Sequence, residues 1–266
     1  MNIVVCVKQV PNPEIPMGKF KVDEKANKVL PPEGIPPVIS PFDEQAVEVA
    51  IRLKEAKGGT IKVISMGPAS ARDVVKHSLA MGADEGALLQ DTVFDNCDSF
   101  GTAYVLGKAI QKLGPFDLVL CGRQAADWDQ GQVGSLLAES LGIPIITFAR
   151  KIEPADSKLK VERVILDGYE IVESNMPAVV TISSEVGQPR LPSGWGIIQA
   201  SRKKIPIWTA KDIGADVAQL GGAAARTELL KLFIPAREGK CEIIGADTGA
   251  EAAVKLAIRL REAKVI

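Results

Sequence analysis

The sequence predicts an α/β fold built on a parallel, doubly wound sheet with an antiparallel extension and a C-terminal arm. Three observations predict it. Apolar runs of strand length alternate with helical patterns through the first half of the chain. The exits of three of those strands, "CVKQV", "SMGPAS" and "CGRQAADWD", carry most of the unusual chemistry, as expected of a sheet whose ligand site lies beyond its carboxyl edge. Near Arg150 the pattern changes to short β-branched runs with a tight-turn signal.

The elements follow in order. "NIVVCVK" (2–8) reads as a strand and is followed by a proline-containing insertion, residues 11–37, in which "KFKVDEKANKVL" alternates as a small hairpin over the crevice. "ISPFDEQAVE" opens a helix with Ser40 as N-cap, Pro41 in the first helical position and Asp43 and Glu44 in the first turn; the helix runs through "EQAVEVAIRLKEAKG" (44–58). Strand "TIKVISMGP" (60–68), helix "ARDVVKHSLAMGA" (71–83), strand "EGALLQ" (85–90), helix "SFGTAYVLGKAIQKLG" (99–114), strand "FDLVLC" (116–121) and helix "QVGSLLAESLG" (132–142) complete the alternation. Beyond Arg150, "KLKVERVILDGYEIVES" forms a hairpin around its Asp-Gly and, with "AVVTIS", extends the sheet antiparallel. "SSEVGQPRLPSGWGIIQASRKKIPIWTAKDIG" reads as an exposed functional loop running into an extended tail. Gly221 to Arg237 carries no core pattern, and "AEAAVKLAIRLREA" (250–263) is an amphipathic helix that docks on another chain. The resulting division is 1–184 for the α/β domain, 185–205 for a partner loop and 206–266 for the arm with its docking helix.

Lysine plus arginine (32) nearly balances aspartate plus glutamate (33), so the totals give no general attraction to nucleic acid or to an anionic membrane. The four cysteines are distant in sequence and form no CxxC pair, the pattern of reduced thiols in a cytoplasmic protein. No signal-peptide pattern and no membrane-length apolar run occurs, so no membrane insertion is expected.

The richest stretch is "CGRQAADWDQGQVGSLLAESL". Gly122, Gly131 and Gly134 permit close backbone approach, and a helix starting near Gln132 presents free N–H groups to an anion such as phosphate. Arg123 can add a bidentate contact to that phosphate or pair with Asp127 or Asp129 on its own loop; the plainer alternative is a turn capped by Asp129. "FDNCDSFGTAY" sets Asp98 and Ser99 at the start of another helix, where Asp98 caps its own helix or helps hold a pyrophosphate. Met66 and Gly67, at a strand end, can pass beside a flat ring or belong to the core. His77 has no partner that would suggest catalysis, and no metal-ligand cluster is present.

These blocks together resemble the small (beta) subunit of electron-transfer flavoproteins over most of the chain. The matching text is "VVCVKQVP", "SPFDEQAVEVAIRLKE", "MGPASARDVVKHSLAMGADEG", "DLVLCGRQAADWDQGQVGSLLAESLGIP", "VERVILDGYEIVESNMPAVVT" and "EVGQPRLPS". One departure is Leu166, where the family usually has an acidic residue before Asp167 and Gly168.

The resemblance implies a fold of the adenine-nucleotide-binding (HUP-like) type and an obligate heterodimer with an alpha subunit that carries a redox-active FAD. The beta subunit would hold either a second FAD or a structural AMP. By motif match, the nucleotide meets Cys6, Ser40, Pro41, Phe42, Asp43, Met66, Gly67, Gly122, Arg123, Gln124, Ala125, Asp127, Asp129, Gly131, Gln132, Val133 and Gly134. Phe94, Asp98, Ser99 and Thr102 look like the electron-bifurcating branch. There NADH reduces a beta-bound FAD, and electrons reach ferredoxin or flavodoxin and an acyl-CoA dehydrogenase-like or other flavin dehydrogenase. That chemistry requires no catalytic side chain of this chain. "EVGQPRL" matches the partner-recognition loop, with Val186, Pro189 and Leu191 as anchors and Arg190, Arg202, Lys203 and Lys204 as rim charges. The alternatives are a non-bifurcating carrier subunit with AMP and a non-redox nucleotide-binding module.

Overall fold

A computed structural model of the chain describes residues 1–222, 224–236 and 241–266; Ala223 and positions 237–240 of the expected arm lie outside the described residues. The chain divides into two units, Met1–Leu232 and Phe233–Ile266.

In chain order the elements are β1 (Asn2–Cys6), β2 (Gln9–Val10), β3 (Lys21–Asp23), β4 (Lys28–Leu30), β5 (Val38–Ile39), α1 (Pro41–Lys57), β6 (Thr60–Met66), α2 (Arg72–Met81), β7 (Glu85–Leu89), α3 (Ser99–Leu113), β8 (Leu118–Gly122), α4 (Val133–Leu141), β9 (Ile145–Ala155), β10 (Lys158–Ile165), β11 (Gly168–Asn175), β12 (Ala178–Ile182), α5 (Gly194–Arg202), β13 (Ile207–Trp208) and α6 (Gly249–Glu262). Among the described residues the main sheet has the order β11-β10-β9-β12-β8-β1-β6-β7-β13. It is parallel from β9 to β13 and antiparallel at β10 and β11.

Alternation along β1 shows why both faces are covered. Ile3 and Val5 enter a core with α1, α2 and Ala200 of α5, whereas Val4 and Cys6 enter a second core with α3 and α4. Strands this apolar on both faces must be sandwiched between helices. No helix among the described residues is long and apolar enough to cross a membrane.

The hairpin in the insertion forms as β3 and β4, and β2 pairs with β5 across the base of the insertion. The Asp-Gly hairpin also forms, with Ile165 opposite Gly168 and Leu166 fully exposed in the turn. "AVVTIS" differs from expectation: as β12 it lies parallel between β8 and β9, inside the sheet. The expected change at Arg150 falls within β9, a strand of 11 residues. β9 carries a bulge where Phe148 takes φ +55° and donates its amide N–H to Thr181 Oγ1 at 3.0 Å, a break in alternation that hides the strand.

The stretch read as loop and tail contains two further elements. α5 is capped by Ser193, whose Oγ accepts the Gly196 N–H, and packs so closely on α2 that a Cβ on Gly196 would lie 2.2 Å from the Ala80 carbonyl oxygen. β13 then adds to the edge beside β7. The compact first unit therefore continues to Leu232, and the expected division at residue 206 falls inside it.

In the second unit Thr248 caps α6 by accepting the Glu251 N–H, and Arg259 pairs with Glu242 and Glu262. Val254, Leu256 and Ile258 of α6 are exposed.

Candidate functional site

The chain leaves β1 for β6 and β7 on one side, then returns through α3 to β8 on the other. Connections that diverge in this way open a crevice at the carboxyl ends of β1 and β8. The start of α1 and the loop from Gly122 to Gln132 both meet it.

α1 begins as the sequence predicts, with Ser40 as its N-cap and Pro41 first, but the Ser40 hydroxyl makes no capping bond. Asp43, a first-turn acid by its place in the sequence and a nucleotide contact by the family resemblance, reaches the sheet. Its Oδ2 accepts the Lys8 N–H at 2.8 Å and its Oδ1 accepts the Gly122 N–H at 3.0 Å. Burial pushes its carboxyl up to about 7, against the downward pull of these two amides and of the Lys8 charge, with Asp127 adding to the rise.

The loop glycines divide into two kinds. A Cβ on Gly122 would lie 2.6 Å from Asp43 Oδ1 and 2.7 Å from Phe42, and one on Gly134 would lie 2.5 Å from the Thr181 methyl. These two permit the approach of protein to protein. Gly131 turns the loop at φ +62°.

Asp127 binds Lys8 Nζ through both oxygens, at 2.7 and 2.8 Å, and Asp129 accepts from Gln124 Nε2 at 2.8 Å. Neither takes Arg123. Asp129 does not cap α4: the N-cap is Gln132, and the helix start has no side-chain capping bond among the described residues. Leu136 N–H donates to the Gln132 carbonyl. Ala125 accepts the Asp129 N–H, and Val133, half-buried, begins the helix.

Arg123 lies over the Phe42 ring, 4.8 Å from its centroid, with its Nε buried and unpartnered among the described residues. Ser40 Oγ and Ser65 Oγ, also buried, share that condition. Buried polar atoms without partners are uncommon and costly. Buried donors and acceptors without partners among the described residues fit the ribose and phosphate oxygens of a nucleotide. Met66 is half-buried against the α3–α4 core, next to Gly67. The Cys6 and Cys121 thiols, far apart in sequence, meet at neighbouring strand ends. Hydrogen bonding to Cys121 and burial raise the Cys6 thiol well above its ordinary value.

The second helix start is built differently. Ser99 Oγ donates to Gln130 Oε1 at 2.6 Å, so the first turn of α3 adjoins the loop. Asp98 is fully engaged by its own chain. Oδ1 accepts the Phe100 and Gly101 N–H groups, while Oδ2 accepts the N–H groups of Arg226 and Thr227 and the Thr227 hydroxyl. Arg226 also stacks on Phe100. Thr102 is half-buried in the next turn. Phe94 is buried in the α3–α4 core. His77 pairs with Glu44, joining α2 to α1.

The segment after β12 is tied to α1. Arg190 grips Glu48 and Glu55 of α1 at 2.6–3.3 Å, and Arg52 holds the carbonyls of Val186 and Gln188. Arg190 therefore fixes the segment to α1. Lys203 Nζ donates to the carbonyls of Ala83 and Asp84, whereas Arg202 and Lys204 are exposed. Val186 packs against the core and Pro189 is half-buried. Leu191, 87% exposed, is the apolar tip, and the unpredicted helix α5 sets Trp195, Ile197 and Ile198 beside it in sequence, all exposed. Trp and Ile at the start of a capped helix were the available signal for these residues.

A mostly parallel, doubly wound sheet with unpartnered polar atoms buried near its carboxyl edge and a separate exposed apolar segment defines a class of doubly wound α/β protein. Residues 29–213 match the electron transfer flavoprotein domain. The chain is 42% identical to the electron transfer flavoprotein subunit beta of Thermoanaerobacterium thermosaccharolyticum, over the full length of both. It is 38% identical to subunit CarD of the caffeyl-CoA reductase-Etf complex of Acetobacterium woodii, again over both full chains. Identity to the acryloyl-CoA reductase electron transfer subunit gamma of Anaerotignum propionicum is 32%, covering 90% of each chain. The chain belongs to the electron transfer flavoprotein family, and its role is that of the beta subunit.

Proposed function

We propose that this beta subunit holds the adenosine and phosphate portion of an FAD in the β1–β8 crevice and works in a heterodimer that takes electrons from NADH and passes them to two different acceptors. The observation that carries the nucleotide site is the uncapped start of α4 together with the buried, unpartnered Nε of Arg123. A helix start supplies free N–H groups and partial positive charge, and a buried guanidinium N–H needs an acceptor; phosphate oxygens satisfy both. Ser40 and Ser65 hydroxyls add hydrogen-bonding capacity for the sugar.

The flavin, when bound, supplies hydride acceptance and one-electron transfer. This chain binds and orients it: Lys8 and Asp127 brace the loop, Gly122 and Gly134 let α1 and α4 close on the sheet, and the Ser99–Gln130 bond brings the α3 start to the loop. The last of these favours a longer cofactor, because a second helix start lies where a pyrophosphate or ribityl chain can meet it. Partner docking is assigned to Leu191, Trp195 and Ile198, with Arg202 and Lys204 at the rim. The partner is a flavin dehydrogenase acting on CoA thioesters, in keeping with the reductases named for two relatives; ferredoxin or flavodoxin is the second acceptor. The exposed apolar residues of α6 are assigned to the alpha subunit.

One observation favours the AMP reading. Asp98 has no oxygen left free of its own chain, and a flavin at that end would find its most polar side chain taken. Counting FAD and AMP in the heterodimer purified with its alpha subunit separates the two. Two FAD support the proposal; one FAD with one AMP replaces it by the carrier reading.

A further inference from the structure

The geometry points to Asp43 as a positioning residue, a clip whose two carboxylate oxygens hold the ends of β1 and β8 at the spacing that receives the nucleotide. This inference rests on the nucleotide site proposed above and deepens it.

Asp43 is the third residue of α1, where an acidic side chain normally bonds back to the N-cap amide of its own helix. It turns away instead. One oxygen accepts from Lys8, two residues beyond the end of β1, and the other from Gly122, the last residue of β8. The two strands are neighbours in the sheet but their connections diverge, so no loop ties their ends together. The carboxylate does so, and its reach extends further: Lys8 carries Asp127 of the phosphate-facing loop through its Nζ, and Gly122 leads directly into Arg123.

The contact has no slack. Gly122 meets Asp43 Oδ1 and Phe42 so closely that any Cβ there would have to displace one of them. The clip is also buried, with Asp43 7% exposed, so water cannot readily replace a lost acceptor. An asparagine has the same shape but one acceptor oxygen, and its NH2 group would face one of the two amide N–H groups donor to donor.

The titratable and charged groups around Asp43 come from every adjoining element. Lys8 and Cys6 lie on the β1 side, Cys121 on the β8 side, and Asp127 and Arg123 on the loop. On its own helix Glu44 is held by His77. Burial raises Asp43 most, while the two amides and Lys8 oppose the rise, giving a value of about 7. The ionised form accepts both amides; the protonated form carries a hydrogen on one of those oxygens and loses an acceptor. The clip is closed above that value and opens as pH falls through it.

The test uses the heterodimer, wild type and Asp43→Asn, with adenosine and AMP as probes, titrated calorimetrically between about pH 6 and pH 8.5. Adenosine has no phosphate to titrate, so its profile reports the protein. Wild type should bind adenosine about tenfold more tightly at the upper pH than at the lower, the worth of one charge-assisted hydrogen bond; Asp43→Asn should bind at the weaker level throughout. Amide exchange in nucleotide-free protein should be faster at Lys8 and Gly122 in the variant. Gly122→Ala, which keeps the carboxylate but pushes it off β8, should speed exchange at Gly122 as well. Wild-type exchange and a wild-type pH profile in Asp43→Asn would overturn the clip. If wild type binds neither probe nor FAD, the nucleotide reading fails, and the exchange comparison then decides the clip alone.

Discussion

Around the carboxyl ends of the central strands the groups left over are polar: Arg123 Nε, Ser40 Oγ and Ser65 Oγ are buried without partners among the described residues. On the segment from Ser184 to Arg202 the arrangement is reversed. Its central charge, Arg190, is satisfied by the buried Glu48 and the exposed Glu55 of α1, while Leu191, Trp195 and Ile198 stand in solvent. The same chain therefore prepares one surface to take a polar ligand, whose arrival supplies missing hydrogen bonds, and another to take an apolar partner, whose arrival removes hydrocarbon from water. Charge content alone does not tell the two apart; what distinguishes them is where each charge finds its partner.

The sharpest way to break this contrast is to cut the inner attachment of the segment. Glu48 has a side chain only 4% exposed and depends on Arg190 and Arg52. Arg190→Ala should cost about 3 kcal/mol in denaturant unfolding, as expected when a buried charge loses a partner, and should also weaken dehydrogenase docking by unfixing the tip. Leu191→Ala makes the complementary case: unfolding unchanged, docking weaker by about 2 kcal/mol. If Arg190→Ala affects docking alone, Arg190 belongs at the rim after all. The pair also carries a pH signature. Burial raises the Glu48 carboxyl, but its bonds to Arg190 and Arg52 outweigh this and hold it below its ordinary 4.5. Its stabilisation is therefore present above that ordinary value and lost as pH falls through the lowered one. Arg190→Ala should flatten this acid limb of the stability curve.

Next in size is Gly134→Ala. Its Cβ would overlap the Thr181 methyl, and overpacking of this kind costs about 2 kcal/mol. Because Thr181 also accepts the Phe148 amide that shapes the bulge in β9, the effect should spread to that strand and be visible as faster amide exchange at Phe148. An unchanged melting temperature would mean that α4 shifts freely, and the crevice would then be less firmly built than the contacts around Gly134 indicate.

How far the sequence revealed these features depends on the range of the interactions. β1, β6, β7 and β8 and helices α1 to α4 were legible, because local periodicity carries both period and length. The crevice edge was legible for the same reason, since glycines and charges collect at strand exits. β9 was not, because its bulge at Phe148 breaks the alternation that would have marked it. α5 was not, because Gly194 and Gly196 suppress helical propensity; Gly196 is needed for contact with Ala80, a tertiary fact. The Asp43 contact was hidden most thoroughly: an acid in the first turn of a helix is ordinary local grammar, and its partner Gly122 lies 79 residues away. Arg190 likewise reads as a surface charge until Glu48 is found beneath it.

The smallest expected effect concerns the boundary between crevice and tail. Asp98 lies where the two kinds of surface meet: one oxygen caps α3 as the sequence predicts, and the other holds Arg226 and Thr227. Asp98→Ala removes a cap worth about 1 kcal/mol, a modest loss for the fold, but it also releases the tail from the start of α3. Two outcomes follow for the cofactor count. If the tail competes with the flavin for this helix start, FAD occupancy of the beta site should hold or rise; if Asp98 arranges the site for the flavin, occupancy should fall while the fold survives. Unfolding curves and FAD content measured on the same heterodimer preparation distinguish these cases, and faster exchange confined to Arg226 and Thr227 would identify the released segment directly.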